Sequence, residues 1–126
     1  MSTKVKVSVP GFDAEMVSLL AEEFDGNHLR PKNCVIEKMT ELVHGAMSDG
    51  LNPSVAVITF GDGGLRLLCG EAPNRNIALD ISPNEGPDGY YHPAYIRWDG
   101  EGRSGLVDDV DAAELRKWFE WVVRER

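Results

Sequence analysis

Apolar residues recur along this chain with two different spacings, and the switches between them outline its elements. Residues 4–9, KVKVSV, alternate polar residues with valine, the period of a strand with one buried face. Pro10 and Gly11 close that run. The stretch 12–24, FDAEMVSLLAEEF, then reads as a helix. Asp13 stands at the expected N-cap, and Phe12 before it is placed to staple against Val17. Met16, Leu20 and Phe24 follow at helical spacing, Glu15, Glu22 and Glu23 fall on the water side, and Gly26 suits the stop. A second helix is predicted from a cap at Asn33 to a stop at Gly50, because Val35, Ile36, Met39, Leu42, Val43, Ala46 and Met47 form one stripe. Gly45 within it costs about 1 kcal/mol relative to alanine, which is expected where a helix backbone comes close to the sheet.

The middle of the chain changes period. Residues 54–60, SVAVITF, and 65–70, LRLLCG, joined by GDGG, give the clearest hairpin signal in the sequence. In 76–82, Ile77, Leu79 and Ile81 share one face, with Ala78 and Asp80 on the other. A strand over 94–100 and a short partner after the DGEG turn follow. The last helix begins near Asp108 to Asp111, with acids at its start and arginines at its end, as the helix dipole favours. Its wheel puts Ala112, Leu115, Phe119 and Val122 inside, Trp118 at the border and Trp121 on the flank.

No repeat or linker divides the chain, so residues 1–126 are read as a single α+β domain. The expected architecture is an antiparallel sheet of about five strands with three helices packed mainly on one face. A domain of this size needs no disulfide or metal to hold it. Cys34 and Cys69 show no metal-ligand spacing, and both are read as reduced, with Cys69 filling core beside Leu65 and Leu67. Neither a secretory leader nor a run long enough to span a bilayer is visible, which makes the cytoplasm the expected location.

Chemistry is weakly marked. The serines stand in no nucleophile elbow, GDGG lacks the lysine and the trailing Ser/Thr of a phosphate loop, and the Asp108, Asp109 and Asp111 cluster fits helix capping better than a calcium loop. No cofactor, metal or catalytic residue is therefore assigned. His44 is read as a helix-boundary residue and His28 as solvated, while His92 is constrained between Tyr91 and Pro93.

The formal net charge is −8, which argues against direct nucleic-acid binding. From Glu71 to Glu114 the only bases among many acids are Arg75, Arg97 and Arg103. Such a field serves solubility or steers a basic partner. The aromatic-rich loop 84–95, NEGPDGYYHPAY, is the expected docking surface. Glu85, Asp88, Tyr90, Tyr91, His92 and Tyr95, with Trp121 from the last helix, are its candidate contact residues. The leading expectation is a non-enzymatic, immunity or anti-defence type protein that neutralises another protein with a basic surface, such as a toxin or nuclease. Two alternatives stand beside it: a small enzyme with a site near His92, and an acidic secretion chaperone or nucleic-acid mimic.

Overall fold

The computed structural model of the chain describes residues 10–21, 31–47, 54–59, 63–70, 74–82, 85–86, 89–90 and 94–124. The predicted strand at 4–9, Phe24 and the stops at Gly26 and Gly50 lie outside these residues.

Helix α1 (Pro10–Leu20) takes Pro10 and Gly11 into its first turn, where a proline lacks no needed hydrogen bond and its fixed φ already suits a helix. Asp13 is therefore inside the helix, not its cap, and its Oδ1 meets His44 Nε2 at 2.9 Å. The expected staple does not form: Val17 is 70% exposed while Phe12 is buried. With both residues helical, five positions separate them by about 140° around the axis. Phe12, Met16 and Leu19 make the buried stripe instead, displacing Leu20 to its border. Glu15 does not simply face water, since its Oε1 accepts from the Val57 N–H at 3.3 Å.

Helix α2 (Asn33–Ala46) buries Val35, Met39, Leu42, Val43 and Ala46, the stripe expected from its spacing. Its cap is Lys32 rather than Asn33, and no side chain bonds the cap. The Lys32 N–H donates to the Gly63 carbonyl at 3.1 Å, tying the helix start to the GDGG turn. The chain leaves the helix at Met47, which is extended.

Strands β1 (Val55–Thr59), β2 (Leu65–Gly70) and β3 (Asn76–Ile81) form the first part of an antiparallel sheet. A two-stranded ribbon, β4 (Glu85–Gly86) with β5 (Gly89–Tyr90), interrupts the loop 84–95. Strands β6 (Ala94–Gly100) and β7 (Arg103–Val107) complete the main sheet in the order β1-β2-β3-β6-β7. Helix α3 (Ala112–Val123) ends the described chain. Its cap is Asp111, whose carboxylate accepts from the Glu114 N–H at 2.8 Å. The class is α+β, as the patterning implies.

Alternation sorts the sheet into two unlike faces. Val57, Leu65, Leu67, Cys69, Ile77, Leu79, Ile81, Ala94 and Ile96 point into one core with the apolar stripes of α1, α2 and α3. On the other face Ala56, Ile58, Arg97, Asp99, Ser104 and Leu106 are exposed. Gly45 marks a close approach, but to α3 rather than to the sheet: an added Cβ would stand 2.9 Å from Ala112 Cβ. No described helix is long and apolar enough to cross a membrane.

Candidate binding site

The β6–β7 hairpin and α3 together bring all three tryptophans of the chain into one cluster. Trp98 sits on the helix-facing side of β6, at the margin of the core. Trp118 and Trp121 lie three positions apart on α3, and residues so spaced share a helix face. The rings of Trp98 and Trp118 stack at 5.4 Å with planes 22° apart. Trp121 meets both edge-on, at 5.9 Å from Trp98 and 5.3 Å from Trp118. Offset-stacked and edge-to-face pairs of this kind are favourable beyond their buried area.

The rings are held from several sides. Gly105 faces Trp98 in the β6–β7 register, and a Cβ there would come within 2.7 Å of the indole. The Trp118 indole N–H donates to Glu114 Oε2 at 3.0 Å, one helical turn away. Arg75 places its guanidinium 5.0 Å from the Trp121 ring centre and donates from Nη1 to the Trp121 carbonyl at 3.0 Å. From Nη2, Arg75 also reaches Glu101 Oε2 at 2.9 Å. That contact holds the Glu101 carboxyl below its ordinary pKa. Glu101 and Gly102 form the tight turn of the hairpin with φ values of 57° and 76°.

All three indoles remain half-buried rather than sealed in. They floor an open cleft of about 430 Å³. Its rim carries Arg103, Lys117 and Arg124 with Glu114 and Glu120. Both carboxylates already have partners: Glu114 with Trp118 and Lys117, and Glu120 with Arg116 at 3.6 Å. Arg103 and Arg124 are exposed and make no ion pair among the described residues. The cleft is thus a cationic spot on a chain of net charge −8.

A second, larger depression of about 650 Å³ crosses the open sheet face between Ala78, Arg97, Asp99, Ser104 and Leu106. Its charges balance. Nearby, Asp80 is fully buried although it belongs to the same open face, and Arg66 grips it through two bonds of 2.7 and 2.9 Å. That grip raises the Arg66 pKa above its ordinary value. This pair lies outside both depressions.

Of the residues expected to contact a partner, Trp121 belongs to the cleft. It is neither covered nor fully exposed: Arg75 and the other two tryptophans shield part of it. Tyr95 is half-buried on the open face, in register with Asp80. Glu85 and Tyr90 are backbone partners in the small ribbon. Asp88, Tyr91 and His92 lie outside the described residues, as does the site imagined around His92. Trp98 and Trp118, which the patterning placed in and beside the core, are missed as site residues. Their one sequence signal is the Trp118/Trp121 spacing. Among the described residues no three His, Cys, Asp or Glu side chains gather as a metal site would need. Burial pushes the Cys69 thiol up to about 12, so it is a poor nucleophile.

No protein family, curated protein or solved structure matches this chain.

Proposed function

We propose that this protein is a non-catalytic domain that binds and restrains another protein, in the manner of an immunity or anti-defence protein, and that it docks through the tryptophan cleft. One observation carries the reading: every tryptophan in the chain stands partly exposed in a single interlocked cluster under a charged rim. Tryptophan and arginine dominate the energetic centres of protein interfaces. Rings already locked by each other and by Glu114 lose little conformational freedom when a partner covers them. The overall charge of −8 supports a partner whose surface is largely basic, because it would hasten encounter at moderate salt.

The test uses the full chain immobilised against extract of its source cells. A captured protein, identified and purified separately, is expected to bind with a Kd below about 1 μM and to lose activity in the complex. Trp118→Ala should weaken that binding by about tenfold or more. Equal binding by Trp118→Ala and Trp121→Ala variants that still unfold cooperatively in urea would refute docking at the cleft.

A further inference from the structure

The sign of the charge around the tryptophans runs against that of the chain as a whole, and this narrows what the cleft accepts. Arg103, Lys117 and Arg124 surround the indoles. The two carboxylates on the same rim are occupied, Glu114 by the Trp118 indole and Lys117, Glu120 by Arg116. A basic side chain entering here would meet cations at contact range and carboxylates already bonded. An acidic one would meet Arg103 and Arg124, both exposed; neither forms an ion pair among the described residues, and Arg103 acts on Glu101 only through its longer-range field. At physiological salt the screening length is about 8 Å, so this local arrangement outweighs the distant acids once a ligand is seated.

We propose that the cleft takes an acidic peptide segment of the partner, seating one aromatic or large apolar side chain against the indoles while flanking carboxylates meet Arg103 and Arg124. The proposal rests on the protein-binding reading above. A largely basic partner meets the acidic remainder of the surface, and its acidic segment fixes register at the cleft. Single-stranded nucleic acid also stacks on aromatic rings, but it needs a cationic groove that follows its backbone. Here the described cations gather at one cleft rather than along a track.

Because all three tryptophans floor the cleft, the intrinsic fluorescence of the whole protein reports on its occupancy. The probes are acetyl-Asp-Glu-Phe-Glu-Asp-amide, its Lys/Arg counterpart with the same central phenylalanine, and a short oligothymidylate. The acidic peptide is expected to give a saturable emission change. The double variant Arg103→Glu, Arg124→Glu, altered only at exposed positions, should weaken that binding by about tenfold or more with its circular dichroism unchanged. Equal or tighter binding of the basic peptide, tighter binding of the oligonucleotide, or no saturable change with any probe would overturn the proposal. If the double variant still captures the partner while Trp118→Ala does not, docking at the cleft stands and the acidic-segment inference alone fails.

Discussion

Gly105 lies directly beneath the indole of Trp98: across the β6–β7 register, a Cβ on Gly105 would come within 2.7 Å of Cε2, Cζ2 and Nε1 of that ring. The ring has no easy retreat, since Trp118 stacks on it and Trp121 meets its edge. The glycine is required by space, not by backbone conformation. Gly105→Val should therefore cost about 1–3 kcal/mol, the range for overpacking a fitted site. It should also change the near-ultraviolet circular dichroism of the coupled indoles. Gly11→Ala, within α1 where an added Cβ meets nothing within 4 Å, is the clash-free comparison in the same denaturation series and should stabilise by up to about 1 kcal/mol.

Arg66 and Asp80 face each other across β2 and β3 with unequal burial: the Asp80 side chain is 0% exposed and that of Arg66 is 29%. Removing either leaves the other charge behind, and the fully buried one suffers more. Arg66→Met is expected to destabilise by about 3–5 kcal/mol. Asp80→Leu should cost less, because the guanidinium it strands can still reach water. The double variant should recover much of the loss, since an apolar pair leaves no stranded charge. Urea denaturation of the four proteins checks this, and equal single-variant costs would contradict the asymmetry.

Arg75 and Glu101 contribute unequally to holding the tryptophan cluster. Glu101 is exposed and occupies a positive-φ turn position that asparagine fills more readily. Glu101→Asn is expected to leave the urea midpoint almost unchanged, given how little exposed ion pairs contribute. What the carboxylate does contribute is present above its ordinary pKa and lost as pH falls through the lowered one. Arg75→Ala should weaken the fold more and raise the access of acrylamide to Trp121, because it removes the cation over the ring and the bond to the Trp121 carbonyl.

Burial of Cys69 has a consequence at alkaline pH. Its thiol titrates near 12 when folded against an ordinary 9.0, owing to desolvation. The folded state thus holds the proton longer than the unfolded state does, and this contribution is complete below about 9 and lost as pH rises toward 12. The stability difference between the protein and a Cys69→Val variant should shift toward the variant across that window. Unchanged spacing between the two denaturation curves would contradict the burial argument.

Much of this architecture was legible in the residues. The stripe of α2, the alternation of Leu65, Leu67 and Cys69, and the acidic start of α3 each follow from local spacing, although α2 ends at Ala46 and leaves Met47 beyond it. The start of α1 was misjudged because Pro10 and Gly11 read equally as a strand terminator and as a helix first turn. The local pattern alone does not choose between them. Gly45 signalled a close approach, but only packing reveals that the neighbour is Ala112. The cleft was hidden for the same reason: Trp98 precedes Trp118 by 20 positions, and nothing local says that β6 and α3 lie side by side. Trp98 read as core and Trp121 as flank, whereas the helix packs so that both border one opening.

The most direct test of the account follows fluorine NMR of fluorotryptophan-labelled protein as its purified partner is added. The three labels all sit in the cleft, so docking there predicts that every tryptophan resonance shifts or broadens as the complex forms. A complex that forms while all three resonances keep their positions and widths would show that the partner binds elsewhere.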